Sequence, residues 1–105
     1  MPSKLFDIGA NLTHKSFNKD LKEVLERAFK KGVNNICITG CNLSDSKKAL
    51  EIAQLFPDNL ITTCGIHPHY ADSFDKKSIL EIYDVCQNTL VKAIGETGLD
   101  FNRNY

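Results

Sequence analysis

Three stretches with helical spacing alternate with four short apolar runs, and this alternation restricts the fold more than any other feature of the sequence. Leu5-Phe6-Asp7-Ile8-Gly9-Ala10 reads as a first strand, and Asn11-Leu12-Thr13-His14 leaves it as a loop. From about Lys19 to Lys31 the apolar residues are Leu21, Val24, Leu25, Ala28 and Phe29. Steps of three, one, three and one mark one face of a helix. Asn18 or Ser16 is placed to cap its start, and Gly32 sits where helices commonly stop. Asn35 to Thr39 is the second strand, in which Ile36, Cys37 and Ile38 are consecutive and apolar. Such a run suits a strand covered on both faces, as in a parallel sheet. Ser44 is a plausible cap for a second helix running to about Phe56, with Ala49, Leu50, Ile52, Ala53 and Leu55 facing in. Pro57-Asp58-Asn59 stops it, and Leu60 to Ile66 is the third strand. Ser73 or Asp75 opens a third helix carrying Ile79, Leu80, Ile82, Tyr83 and Val85. Val91 to Gly95 is the fourth strand, followed by a loop from Thr97 to Tyr105.

The order is therefore β-α-β-α-β-α-β, an α/β pattern of parallel strands joined by right-handed crossovers. Two architectures fit it: the N-terminal half of a (β/α) TIM-type barrel, or a small open sheet. A complete barrel takes about 250 residues, and the 105 residues here hold the material for part of one. Apolar residues at 42% and charged residues at 25% are the mix of an ordinary globular domain. No linker or low-complexity tract marks a second one. Thirteen basic and thirteen acidic side chains balance. That speaks against a strongly basic nucleic-acid-binding domain. It leaves room for an enzyme meeting nucleic acid at a metal-lined cleft, because a bound cation brings its own charge. No apolar run reaches the roughly 18–20 residues of a membrane span, and the N-terminus does not read as a secretory signal. Cys37, Cys41, Cys64 and Cys86 form no CxxC pair and read as buried free thiols rather than disulfides or a zinc site. The expected compartment is a reducing cytoplasm.

In parallel α/β folds, functional groups gather at the C-terminal ends of the strands. The polar and small residues do cluster there: Asp7, Gly9 and Asn11; Thr39, Gly40, Cys41 and Asn42; Gly65, His67, Pro68 and His69; Gly95, Glu96, Gly98, Asp100, Asn102 and Arg103. His67 and His69, at i and i+2 in an extended segment, point to opposite sides unless the chain turns at Pro68. They read as phosphate donors or supporting groups, as a metal ligand, or as one histidine held by backbone bonds and one exposed. Glu96 follows an apolar strand between Gly95 and Gly98. A carboxylate there is expensive to bury unpaired. It reads as an oxygen ligand for a hard divalent cation or as half of an ion pair. Asp7 could cap a turn or orient a neighbour. Asp100 and Arg103 could pair with each other, or Arg103 could hold a phosphate in its planar fork.

Four segments occur in order: Phe6-Asp7-Ile8-Gly9-Ala10-Asn11-Leu12-Thr13, Ile38-Thr39-Gly40, Gly65-Ile66-His67-Pro68-His69, and Ala93-Ile94-Gly95-Glu96-Thr97-Gly98-Leu99-Asp100-Phe101. Together they closely resemble the N-terminal part of TatD-type metal-dependent hydrolases, from about Phe6 to Tyr105. The resemblance implies a distorted (β/α) barrel, truncated here after the fourth strand. It implies a deoxyribonuclease that hydrolyses DNA phosphodiesters, single-stranded or damaged, with one or two divalent cations (Mg, Mn or Zn). Glu96 matches the family's metal-binding glutamate and Asp7 the aspartate that opens the first-strand motif. His67 and His69 match a pair near the site, and Asp100 and Arg103 match the loop after the glutamate. Many relatives carry His-x-His in the first strand where this chain has Gly9 and Asn11, which narrows the subgroup to TatD itself. The family's remaining ligands and its catalytic base are expected downstream of Tyr105, so that this portion of a single barrel domain would be inactive alone. Two other readings remain: a related hydrolase of a non-nucleic substrate, and an interaction module that self-associates through open sheet edges.

Overall fold

The computed structural model describes residues 4–103, and positions 1–3 and 104–105, including the end of the last loop, lie outside the described residues. The four strands are β1 (Leu5–Ala10), β2 (Val33–Ile38), β3 (Leu60–Cys64) and β4 (Val91–Ile94). The three helices between them are α1 (Leu21–Lys30), α2 (Leu43–Ala53) and α3 (Lys76–Cys86). Short 3-10 turns occupy Lys15–Phe17 and Pro68–Ser73. The sheet is parallel throughout, in the order β1-β2-β3-β4. Each strand lies beside the one before it, so the winding never reverses. Right-handed crossovers in one direction put the helices on one face of the sheet. Leu25 of α1 and Ala49, Ile52 and Ala53 of α2 meet Ile36, Ile38 and Leu60 of the sheet in one core, joined by Leu12 from the first loop.

The pairing is staggered. Ala10 at the end of β1 aligns with Ile38, Ile38 with Thr62, and Thr62 with Val91. A row that leaves β1 at its last residue therefore meets β4 at its first. In β3, Leu60, Thr62 and Cys64 are buried while Ile61 and Thr63 are half-buried, the alternation of a strand packed more heavily on one face. The buried Thr62 hydroxyl donates to the Ile38 carbonyl at 2.9 Å, and on the next residue the Thr63 hydroxyl accepts from the Gly40 amide at 3.1 Å.

Several sequence expectations shift. The first helix starts at Leu21, not Lys19, and its N-cap is Asp20, which makes no side-chain cap bond; neither Ser16 nor Asn18 caps it. Ser16 belongs to the 3-10 turn ahead of it, where its amide and hydroxyl both meet His14 Nδ1. The second helix is capped by Asn42, not Ser44, because the Asn42 amide oxygen accepts from the Asp45 N–H at 2.8 Å. It ends at Ala53 rather than Phe56, which leaves Leu55 exposed instead of facing in. The second strand begins at Val33, two residues before Asn35, and ends at Ile38; the third and fourth stop at Cys64 and Ile94. Between the two caps offered for the third helix, the structure selects Asp75, which shares a capping box with Ser78. On that helix only Ser78 is buried, and Ile79, Leu80 and Tyr83 are exposed. All four cysteines are free, Cys37 and Cys64 buried and the other two half-buried. No helix among the described residues is long and apolar enough to cross a membrane.

Candidate functional site

The loop after β2 forms the floor on which the later strand ends are hung. The adjacent carbonyls of Gly40 and Cys41 accept from the backbone amides of Glu96 and His67 at 3.2 and 2.6 Å. Gly40 tolerates no side chain, since a Cβ there would meet the Ser46 hydroxyl and, at 2.7 Å, the Thr63 carbonyl. The Cys41 amide donates to Asp45 at 3.0 Å, which ties this loop to the first turn of α2. Ser46, fully buried on α2, accepts from the Gly65 amide at 3.2 Å and donates to its carbonyl at 3.4 Å. Sequence reasoning passed over Ser46, although it falls on the same face as Ala49 and Ala53, where a small polar residue signals a bond to be made.

His67 and His69 do come together. His67 caps the 3-10 turn that begins at Pro68, and its Nδ1 accepts from the His69 amide at 3.0 Å. Their rings then meet edge to face with centroids 4.5 Å apart. Both are half-buried, so the reading of one bonded and one exposed histidine does not hold. His67 Nε2 lies 3.8 Å from Glu96 Oε2, and His69 Nε2 lies 2.9 Å from Asp100 Oδ2. The Cys41 thiol approaches the same Glu96 oxygen at 3.7 Å.

The Asp100 carboxylate is the most heavily bonded group of the cluster. One oxygen meets His69, and the other accepts from the backbone amides of Asn102 and Arg103 at 2.9 and 3.0 Å. These bonds, His69's first, hold its carboxyl below the usual range. Arg103 thus meets Asp100 through its main chain, not through the side-chain pair that was one of the two readings of these residues, and Arg103 is exposed. Burial, followed by the charges of Asp45 and Glu96, pushes the Cys41 thiol up to about 11. Burial likewise raises Cys37 and Cys64. A thiol held protonated is a poor nucleophile, which argues against Cys37, Cys41 and Cys64 as attacking groups. Asp7 and Asn11 bond within their own segment: Asp7 accepts from the Gly9 amide at 3.1 Å, and the Asn11 carbonyl from His14 at 3.2 Å.

Beside the cluster, a cleft of about 360 Å³ opens between α3, β4 and the final loop, walled by Ile66, Phe74, Ile82, Ile94 and Leu99. Its wall is mostly hydrocarbon, with Thr97 as its one polar side chain and no charged one, and the cluster of His67, His69, Glu96 and Asp100 does not line it. A hard divalent cation takes roughly six ligands. Glu96 suits such an ion in kind, and His67 stands next to it. In number the set falls short, because no group of three or more His, Cys, Asp or Glu among the described residues is placed to hold a metal ion.

The comparisons with known proteins agree with this geometry. The chain is 45% identical over 101 residues to a 3'-5' ssDNA/RNA exonuclease TatD from Pectobacterium carotovorum, covering 96% of this chain and 39% of that protein. It is 42% identical to the protein of the same name from Edwardsiella piscicida, with the same coverage. The chain thus spans about two fifths of the length of the curated relatives it matches. A crystal structure of a TatD family hydrolase from Entamoeba histolytica superposes with a TM-score of 0.85 at 34% identity, over 98% of this chain and 40% of that one. The four-stranded arc is therefore the N-terminal part of a TIM-type barrel. The family model for TatD related DNase matches residues 6–105, and the chain belongs to that family.

Proposed function

We propose that this chain carries the front part of a metal-dependent nuclease site that hydrolyses phosphodiesters in single-stranded or damaged DNA. One observation carries the reading: His67, His69, Glu96 and Asp100, from two separate strand ends, converge at the C-terminal mouth of a parallel sheet. Glu96 is one carboxylate ligand of a divalent cation (Mg, Mn or Zn), in a site that needs donors beyond the described residues. Charge supports the cation. Two carboxylates facing one mouth repel a phosphodiester, and a bound divalent ion cancels that local charge.

The chain's own groups take the remaining tasks. Asp100 holds the His69 ring through a 2.9 Å contact, and the main chain at residues 102 and 103 holds Asp100. His69 in turn buttresses His67, whose Nε2 edge faces Glu96. The imidazoles and the exposed Arg103 are the phosphate donors, with Asp7 on β1 and Asn11 just past its end as further candidate substrate contacts. Free thiols at all four cysteines fit a reducing, cytoplasmic setting.

The test uses the chain with a short single-stranded oligothymidylate and Mg²⁺ or Mn²⁺, followed by backbone and imidazole NMR. The expected result is cation-dependent shifts at Glu96, His67 and His69, with Mn²⁺ broadening centred on Glu96 and lost in Glu96→Gln. Broadening that is unchanged in Glu96→Gln removes the ligand role. Absence of shifts with strand and cation both present removes the nuclease reading of this mouth.

A further inference from the structure

We infer that the Tyr70 ring is a stacking platform for one base of the single strand, set on the rim beside the group that faces its phosphate. This rests on the nuclease reading of the mouth for the strand that carries the base, and the platform itself stands on where the ring is held.

The turn after β3 does the holding. His67 caps the 3-10 turn Pro68–Ser73, and Pro68 opens it. The Tyr70 amide donates to the His67 carbonyl at 2.8 Å, and the Ser73 hydroxyl donates to the Tyr70 carbonyl at 2.6 Å. Main-chain bonds on both sides of the residue aim its ring, so the ring need not be buried to be fixed. It meets the His67 ring edge to face, with centroids 6.4 Å apart and planes at 74°. Such a contact takes at most one face of the phenol ring. His67 in turn stands 3.8 Å from Glu96, Nε2 to Oε2. Tyr70 is therefore one ring removed from the carboxylate read as the cation ligand.

An aromatic side chain placed for packing gives up its surface. Tyr70 keeps 46% of its surface exposed and takes no part in the hydrophobic core. Its ring opens on a hollow of about 250 Å³, shared with Asn42, Leu43, Ser44 and Ser73. This hollow lies between the start of α2 and the turn after β3, elements that follow the two inner strands, so neither edge of the sheet builds it. No charged side chain lines it, which suits a neutral guest better than a phosphate. A nucleobase is such a guest: flat and apolar on its faces, polar on its edge. Tyr70 and Leu43 meet the first need. For the second there is the Ser44 hydroxyl, and the Asn42 NH2 group, whose amide oxygen is already engaged with the Asp45 N–H. Stacking on an aromatic ring accepts any base, because every base has a π face. Tyrosine does this at low entropic cost, with only two side-chain torsions to fix.

The experiment titrates the chain, with Mg²⁺ present, with oligothymidylate and with an abasic strand of the same length. Tyrosine ring-proton NMR registers the binding, and the Tyr70 variants assign the Tyr70 signals. The expected result is tighter binding of oligothymidylate than of the abasic strand, with an upfield shift of the Tyr70 ring protons by oligothymidylate alone. That shift is read on the parent chain and needs no variant. Tyr70→Ala should bind oligothymidylate roughly 5- to 100-fold more weakly and the abasic strand as before. Tyr70→Phe should keep the preference, since a phenyl ring stacks equally well. Both variants should match the parent by circular dichroism, because the ring lies outside the core. A folded Tyr70→Ala that still prefers oligothymidylate overturns the platform. Equal losses on both strands also overturn it, and make Tyr70 a support for His67. A parent chain that binds the two strands alike, or binds neither, overturns it as well. A Tyr70-dependent preference without Mn²⁺ broadening at Glu96 leaves the platform standing and removes the cation-dependent nuclease reading. Broadening at Glu96 with no dependence on Tyr70 does the reverse.

Discussion

A methyl group on Gly65 would meet the carbonyl oxygen of Glu96 and the carbonyl carbon of Gly95, which are main-chain atoms with no freedom to swing aside. Gly65→Ala must therefore push β4's exit away from β3's. Overpacking of this kind costs about 1–3 kcal/mol, and urea unfolding should show a loss in that range; an unchanged midpoint would mean the two loops are not in contact. Asp100 makes a second residue-scale prediction. Its carboxyl is lowered in the folded chain, chiefly by His69 and then by the Arg103 amide. A group lowered on folding stabilises the fold above its unfolded value, about 3.9 for Asp. That contribution fades as pH falls below about 4 through the folded value. Melting temperatures measured between mildly acidic pH and pH 3 should fall less in Asp100→Asn than in the parent. Parallel slopes would show that this carboxylate takes no part. Glu96, His67, His69 and Asp100 stand out in the sequence as polar groups just beyond apolar runs, and the structure brings them into contact. Their mutual contacts were not legible. They depend on the turn at Pro68 and on the two carbonyls of the β2 loop, neither of which leaves a periodic trace.

Helix ends were harder to read than helices. Asn42 and Ser44 are both good caps by residue type. What separates them is backbone conformation: Asn42 is extended, with φ −154° and ψ −177°, and Ser44 already sits inside the first turn. Apolar spacing placed Leu25, Ala49, Ile52 and Ala53 correctly inside. It overreached at Leu55, where the helix had already ended at Ala53 and the chain had turned. α3 carries the best-defined start. Asp75 accepts from the Ser78 amide at 3.0 Å, and Ser78's hydroxyl reaches back to the Asp75 amide at 3.0 Å. Asp75→Ala removes the side-chain half of that exchange and should cost about 0.5–2 kcal/mol. Asp75→Ser should recover most of it, because a hydroxyl accepts the same bond. Equal melting temperatures for the Ala and Ser variants would show that the cap contributes nothing.

For the whole molecule, the β-α-β-α-β-α-β pattern allowed either an arc of a barrel or an open sheet. Periodicity cannot separate them, since the same helix faces and strands serve both. Strand order does, and β1-β2-β3-β4 without a reversal is the arc. The same order gives a shallow core built from one helix layer on one sheet, and a few side chains carry it. Leu25 is fully buried at its centre. Leu25→Ala should remove about 2–5 kcal/mol, a large share of the roughly 5–15 kcal/mol that holds an ordinary domain. Calorimetry should show the loss across the entire transition; a separate early transition confined to α1 would mean the helices do not share one core.

Thr62 and Thr63 stand side by side in β3 with their hydroxyls engaged on the same neighbouring segment, one with the Ile38 carbonyl and one with the Gly40 amide. A slide of β3 by a single residue would swap their faces and break both bonds together. Apolar side chains tolerate such creep far better, because one buried methyl substitutes for another. The two hydroxyls therefore act as index pins. They fix how far the third strand rises toward the rim, and with it the height at which His67 stands relative to its neighbours.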